Sequence, residues 1–215
     1  MTAQSAAPAD VEFRQCCCEA ASDPGAVVPL PDRCLQCLRP WRVRGDGNCL
    51  WYALATAAAF NRGRGGDEVR LAERRGALVA AALQWRAAVS RELRDTRTGR
   101  LKEAYAPFWA AGEEGTESAQ DETSYIEGIR KGEVFAGHLE LHVAALVSEM
   151  CIAVLNLVES DNKNVGFLTV YRSPDTPPTA RPLLVLRRGL HYDCLRVLRM
   201  PSLQAFDVVN SKSTR

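Results

Sequence analysis

A short run in the last third of the sequence, residues 151–158, constrains the fold more than any other segment. It reads CIAVLNLV, so that every side chain except one asparagine is apolar. An apolar run of this kind is typical of a central strand with both sheet faces covered, because a strand with one exposed face would alternate apolar and polar residues. The chain is therefore predicted to contain a sheet with layers packed against it.

Helical patterns dominate the sequence before this run. Apolar residues lie all round residues 50–60, which predicts a buried helix. Residues 68–95 repeat apolar side chains at mostly three- to four-residue spacing, which predicts one long helix or two joined near Gly76. Residues 139–150 carry apolar side chains on one face and predict another helix.

Strand patterns dominate after the run. Residues 167–171, 183–186 and 191–198 are short, and each combines apolar neighbours with at least one β-branched side chain, as strands commonly do. Helices in the first two thirds and strands in the last third predict an α+β or three-layer α/β domain.

Changes in composition and periodicity along the sequence divide the chain into three parts. Residues 1–38 show no sustained period of 2 or 3.6 and are predicted to be a flexible N-terminal tail. Residues 39–200 are predicted to form one compact domain, and residues 201–215 a C-terminal tail. With 215 residues, 47% of them hydrophobic, the chain is long enough to bury one sizeable core.

Composition argues against several classes of partner. A net charge of +1 gives no support for nucleic-acid binding, and no apolar stretch is long enough to span a bilayer. The first residues lack the basic start and apolar run of a signal peptide, and the eight cysteines are therefore expected to be free thiols in a reducing compartment. We expect a cytoplasmic protein, which could also enter the nucleus, or act in a host cytosol if viral.

Cys49 lies where a turn with two glycines, residues 44–48, enters the first predicted helix. The positive end of a helix dipole favours a thiolate, and a thiolate is the attacking form of cysteine. Gly45 and Gly47 allow a sharp turn whose N–H groups can face one point, as an oxyanion hole requires. The alternative is an ordinary turn followed by a buried small apolar cysteine.

His191 is the best placed of the three histidines to act as a base. On a predicted strand, His191 and Asp193 project to the same face because strand side chains repeat every two residues. The carboxylate could accept one imidazole N–H and leave the other nitrogen free to take a thiol proton. The alternative is an exposed strand with a polar edge.

Three other groups of residues could be interpreted as binding sites, but each has a simpler explanation. His138 and His142 share a helix face, but no third zinc ligand accompanies them. The cysteines at 16–18, 34 and 37 could bind zinc, yet the contiguous triplet is poor chelate geometry, and free thiols are the default. The acidic residues Glu113, Glu114 and Glu117 belong to a charge run of the kind that is usually solvated. They lie in residues 112–123, whose acidic, small and polar composition predicts an exposed loop. No metal or other cofactor is predicted.

Three blocks of the sequence, in order, resemble the ovarian-tumour (OTU) family of cysteine proteases. The first runs from Val43 to Leu54 and contains Asp46-Gly47-Asn48-Cys49. The second is Phe135-Ala136-Gly137-His138-Leu139-Glu140-Leu141, and the third is Leu190-His191-Tyr192-Asp193. The resemblance covers roughly residues 41–198 and implies a papain-like cysteine protease fold with a small central sheet flanked by helices.

The resemblance also implies roles for individual residues. Cys49 would be the nucleophile, His191 the general base and Asp193 the residue that orients His191. Asp46 is implied as a further active residue whose position suits shaping the oxyanion loop at Gly47 and Asn48. The implied substrate is the bond that follows the C-terminal glycines of ubiquitin, so ubiquitin, polyubiquitin or a ubiquitin-like modifier is the expected partner.

The sequence departs from the family's pattern at Phe135-Ala136, where Trp-Gly is common. Residues 112–123 and 172–182 match no fixed pattern of the family. The main hypothesis is a thiol-dependent deubiquitinase. Two alternatives stay open: a viral or parasite protease acting on host conjugates or a polyprotein, and a catalytically weak ubiquitin-binding module.

Overall fold

The structure is a computed structural model that describes residues 27–29, 38–98, 122–160, 163–177 and 180–197. Five helices and six strands form these parts of the chain. The helices are α1 (Cys49–Asn61), α2 (Gly66–Arg74), α3 (Ala77–Thr98), α4 (Glu122–Lys131) and α5 (His138–Ser148). The strands are β1 (Val27–Pro29), β2 (Leu38–Trp41), β3 (Ile152–Ser160), β4 (Lys163–Tyr171), β5 (Leu183–Arg188) and β6 (His191–Val197).

The six strands form one mixed sheet with the order β1-β4-β3-β5-β6-β2. Strand β3 pairs with β5 in parallel and with β4 antiparallel, and the remaining neighbours are antiparallel. The apolar run at 151–158 therefore supplies an interior strand, as predicted.

Both faces of β3 are buried over residues 152–155, because these residues alternate between two apolar clusters. Ile152 and Val154 belong to the cluster that the helices cover. Ala153 and Leu155 belong to a second cluster built from strand residues on the other face. The α+β arrangement predicted from the sequence is thus confirmed, with the helices described above packed on the first face.

The helices follow the sequence patterns closely. Helix α1 is buried on nearly all sides, from Cys49 to Ala59, as its uniform apolar composition predicts. The predicted 68–95 segment is two helices, and the break falls at Gly76, whose φ of 73° suits glycine. None of the helices in the described residues has the length and apolar character needed to cross a bilayer.

Two short strands and one helix differ from the predictions. Val27–Pro29 lies within the predicted tail, but it pairs with β4 as an edge strand. Leu38, the last residue of that tail, begins β2 at the opposite edge and is buried. Strands of three or four residues are too short to show periodicity, so their place in the sheet comes from pairing with longer neighbours.

Helix α4 begins at Glu122, inside the segment 112–123 that the sequence predicted to be an exposed loop. Its buried side chains, Tyr125, Ile126 and Ile129, follow the acidic stretch and pack into the main core. Residues 112–121 of the predicted loop lie outside the described residues.

Candidate active site

The turn from Gly45 to Asn48 delivers Cys49 to the first position of helix α1. Gly47 has a φ of 78°, in the left-handed region that favours glycine, so the turn requires glycine there. The Asn48 carbonyl accepts the first helical hydrogen bond, from the Tyr52 N–H at 3.0 Å. The turn and helix start predicted from the sequence are both present.

The thiol of Cys49 lies beneath the chain segment that leads into β6. Its Sγ is 3.9 Å from the carbonyl oxygen of Leu190, which is consistent with a weak S–H donor. The residue is only 3% exposed. The fold thus brings the predicted nucleophile directly against the residue that precedes His191.

Burial raises the pKa of the Cys49 thiol above its ordinary value. Backbone N–H groups of Tyr192, Leu50 and Cys49 itself favour the thiolate and lower the pKa, whereas the negative charge of Asp46 raises it. Desolvation is the largest effect, so the net direction is opposite to the one expected from a helix start alone.

His191 presents its two ring nitrogens to two different partners. Nε2 lies 3.1 Å from Oδ1 of Asp193. Nδ1 faces the turn before Cys49, since it would lie 3.7 Å from a Cβ built on Gly45. When Nε2 carries the proton and donates a hydrogen bond to Asp193, Nδ1 has a lone pair that faces the turn. The same-face geometry predicted for His191 and Asp193 is therefore observed.

Asp193 is 1% exposed, and its carboxylate accepts hydrogen bonds from three donors. Its Oδ1 accepts from the Val43 N–H at 3.0 Å as well as from His191, and its Oδ2 accepts from the Arg188 guanidinium at 2.6 Å. Burial by itself raises the pKa of this carboxyl, but the three donors outweigh burial and hold the pKa below its usual range. Asp193 is therefore an ionised, fixed acceptor for the imidazole.

Asp46 contacts the turn itself rather than the His191–Asp193 pair. Its carboxylate Oδ1 accepts the Asn48 N–H at 3.2 Å, and its main-chain oxygen accepts from the Asn48 side chain at 3.3 Å. The side chain is exposed. This position suits the shaping role expected for Asp46, and its contact with Asn48 is local to the predicted oxyanion loop.

The arrangement of a helix-start thiol beside a histidine held by a buried carboxylate invites comparison with known families. The family model of OTU-like cysteine proteases matches residues 44–186, about two thirds of the chain. This chain belongs to the OTU-like cysteine protease family. The matched range includes Cys49 but ends before His191 and Asp193, which the tertiary structure brings to the site.

Solved structures support the family's fold. The chain is similar to an OTU deubiquitinase from Wolbachia pipientis wMel bound to ubiquitin, with a TM-score of 0.52, 9% identity, and coverage of 75% of this chain and 97% of that one. It is also similar to the OTU domain of OTUD1, with a TM-score of 0.51, 15% identity, and coverage of 75% and 87%. No curated protein sequence matches the chain.

Two contacts of this OTU-like site were not predicted from the sequence. The Val43 N–H is presented to Asp193 because β2 pairs with β6 and places Trp41 opposite Cys194. Arg188 reaches Asp193 across the turn between β5 and β6, where Arg188 pairs with His191. The only sequence signal for the second contact is the arginine pair Arg187-Arg188, just before Gly189-Leu190.

The second sequence block organises a helix start in this OTU-like fold. The buried Glu140 caps α5, since its Oε2 accepts the Gly137 N–H at 2.7 Å and its Oε1 accepts from the Tyr125 hydroxyl at 2.8 Å. Of the two departures from the family pattern, Phe135 is 52% exposed whereas Ala136 is buried. The block therefore connects α4 and α5, and Glu140 is occupied by structural contacts.

His138 and His142 both contact Tyr171. His138 also lies 3.0 Å from Arg187 through Nε2. Within the described ranges, no group of three or more His, Cys, Asp or Glu side chains could hold a metal ion. The cysteines at 16–18, 34 and 37 lie outside those ranges.

Proposed function

We propose that this chain is a thiol-dependent deubiquitinase that hydrolyses peptide or isopeptide bonds at the C-terminus of ubiquitin or a ubiquitin-like modifier. The observation that carries the proposal is the convergence of three groups: Cys49 at a helix start, Nδ1 of His191 facing its turn, and Asp193 fixed behind Nε2. This combination supplies a nucleophile, a base and a group that orients the base.

The choice of substrate rests on the family. The OTU protein from Wolbachia pipientis wMel, which has the same fold, is a deubiquitinase bound to ubiquitin. We carry that substrate class over to this chain.

In the first half of the proposed reaction, Nδ1 of His191 removes the Cys49 thiol proton as sulfur attacks the scissile carbonyl carbon. The electron pair of the carbonyl moves to its oxygen, and N–H groups of the turn and of the first residues of α1 stabilise that charge. As the intermediate collapses, the imidazolium gives its proton to the leaving lysine or α-amino nitrogen. A thioester between Cys49 and the modifier remains.

In the second half, His191 takes a proton from a water molecule that attacks the thioester carbonyl. The thiolate leaves and recovers the proton, and the modifier departs with a free carboxylate. Because burial raises the Cys49 pKa, proton removal by His191 belongs to the attack step itself. Asp193 stays ionised throughout and stabilises the imidazolium.

The test is incubation with ubiquitin that carries an alkyne electrophile in place of its C-terminal glycine carboxylate. Wild type should form a covalent adduct, visible as a mass increase of one ubiquitin. Cys49→Ala should abolish the adduct and His191→Ala should slow it by a factor of about 100 or more, within the range for loss of a general base.

Cys151→Ala is the matched control, because Cys151 is a buried cysteine in its reduced form in the second cluster, on the other side of the sheet. Its adduct should form at close to the wild-type rate. If wild type binds ubiquitin but forms no adduct, the proposal of an enzyme is wrong and the chain is a ubiquitin-binding module. The burial of Cys49 is the observation that favours this alternative. If it neither binds nor reacts, ubiquitin is not its substrate.

A further inference from the structure

Arg86, in the middle of helix α3, reaches the residue before the nucleophile. Its Nη1 donates to Oδ1 of Asn48 at 2.5 Å, and the arginine is half-buried. Neither Arg86 nor helix α3 belongs to the three sequence blocks that define the site. The contact therefore links a helix of the scaffold to the turn that presents Cys49.

The turn after α4 packs against the Arg86–Asn48 contact. Gly132 has a φ of 81°, and a Cβ built there would overlap the Arg86 guanidinium and lie 3.2 Å from Oδ1 of Asn48. A Cβ on Gly47 would lie 3.2 Å from the main-chain oxygen of Gly132. Glycines at both positions allow the nucleophile turn, Arg86 and the end of α4 to pack directly together.

The Asn48 side chain is held at both ends of its amide. Oδ1 accepts from Arg86, while Nδ2 donates to the main-chain oxygen of Asp46 at 3.3 Å. The Asn48 side chain makes no cap of α1, so these contacts determine its position. Because the next residue is Cys49, fixing Asn48 also fixes the peptide planes that carry the N–H groups at the start of α1.

We propose that Arg86 is a positioning residue, acting through Asn48, that sets the oxyanion-binding geometry of the turn. This inference rests on the proposed thiol-protease function and adds to it a residue from outside the nucleophile and histidine segments. The guanidinium suits the role because it is always charged, directs several donors from one plane, and lies where the carbonyl end of α4 favours a positive group. A displacement of the turn by about 1 Å is enough to slow the chemistry by about 100-fold.

The experiment measures hydrolysis of ubiquitin carrying a fluorogenic C-terminal amide. Arg86→Ala should lower kcat by about 10- to 100-fold with KM within about twofold of wild type, because transition-state stabilisation is lost and substrate binding is kept. Arg86→Lys should fall between Arg86→Ala and wild type, since the ammonium keeps the charge but loses the planar fork. Arg91→Ala, an exposed arginine on the same helix, is the matched control and should keep wild-type kcat and KM.

Two further measurements separate positioning from general support of the fold. Methylguanidinium in solution should restore part of the kcat of Arg86→Ala and have no effect on Arg91→Ala. Asn48→Ala should already lose most of the rate, so that adding Arg86→Ala to it costs less than about threefold more.

Each other outcome has a definite meaning. If Arg86→Ala matches Arg91→Ala, or if its loss is independent of Asn48 and is not rescued, the positioning role is wrong. If Arg86→Ala does not fold, the kcat and KM of Arg86→Lys decide by the same criteria. An inactive wild-type protein would instead overturn the proposed function. This outcome is distinguishable from a failure of the Arg86 proposal, because it is seen in the wild type without any arginine variant.

Discussion

At the scale of single residues, the site combines a buried thiol with a well-fixed base. Cys49 is covered by the segment at Leu190, and desolvation raises its pKa. His191 is held by a carboxylate whose hydrogen bonds keep it ionised. The raised pKa favours a neutral thiol near neutral pH in the free protein, and in the proposed reaction the proton passes to His191 during attack.

The pH dependence of alkylation tests this protonation state. Only the thiolate reacts, and an ordinary thiol has a pKa of about 8.5. Because the Cys49 pKa is raised, its alkylation by iodoacetamide should be slower at pH 7 than that of an unstructured cysteine peptide. The rate should still be rising with pH above 9. Trypsin releases residues 45–62, which contain no other cysteine, so mass spectrometry can follow Cys49 alone.

His191→Ala is the control for that measurement. A neutral thiol does not depend on an imidazolium for its reactivity in the free protein, so the variant should keep the shape of the pH profile. A wild-type rate that reaches a plateau by pH 7, and loses the plateau in His191→Ala, would instead show a preformed thiolate–imidazolium pair.

At the scale of elements, the site depends on one turn and one hairpin being placed against each other. The turn from Gly45 to Asn48 carries the helix start, and the hairpin from β5 to β6 carries His191 and Asp193. Gly47 lies where the turn has a left-handed backbone and little space, because the Gly132 carbonyl would meet an added Cβ.

Gly47→Ala should therefore reduce both stability and activity. A left-handed alanine costs about 1–2 kcal/mol, and the contact with Gly132 would also displace the turn. We expect a lower unfolding midpoint in urea and a loss of about 10-fold or more in the rate of the ubiquitin-electrophile reaction.

Gly63→Ala is the matched variant for this prediction. Gly63 has a similar φ of 82°, but nothing lies within 4 Å of a Cβ built there. It should show a comparable loss of stability with the reaction rate retained once the protein is folded. If Gly47→Ala is no slower than Gly63→Ala, the shape of the turn is not critical for reactivity.

At the scale of the whole molecule, the two edge strands contribute unequally to the site. Strand β1 pairs with β4, far from β6 in the strand order. Strand β2 pairs with β6, which carries His191 and Asp193, and its continuation supplies the Val43 N–H. Strand β2 therefore supports the site directly, while β1 extends the same sheet at the other edge.

Truncations should separate these two contributions. Removal of residues 1–37 deletes β1 and keeps β2, so adduct formation should persist, with a modest loss of thermal stability. Removal of residues 1–41 also deletes β2 and leaves β6 as an unpaired edge, which should abolish the adduct and lower the unfolding temperature further. Equal activity of both truncations would show that β2 does not support the site.

Elements with a strong local signal could be predicted from the sequence. Uniform apolar composition predicted α1 and the interior strand β3, and the two-residue spacing of His191 and Asp193 predicted that they share a strand face. Gly76 marked a possible break in the 68–95 segment, and the structure decided for two helices over one. Each of these depends on a pattern within a few residues of the chain. Short edge strands carry no such pattern, and β1 and β2 were missed for that reason.

Which groups from distant parts of the sequence meet at the site depends on the tertiary structure. Strand pairing brought the Val43 N–H to Asp193, helix packing brought Arg86 to Asn48, and the approach of the β5–β6 turn covered Cys49. The helix start alone favours a thiolate, but the burial imposed by that approach has the larger effect on the Cys49 pKa. Desolvation depends on everything that surrounds an atom, and for this reason it could not be inferred from the residues next to Cys49 in the sequence.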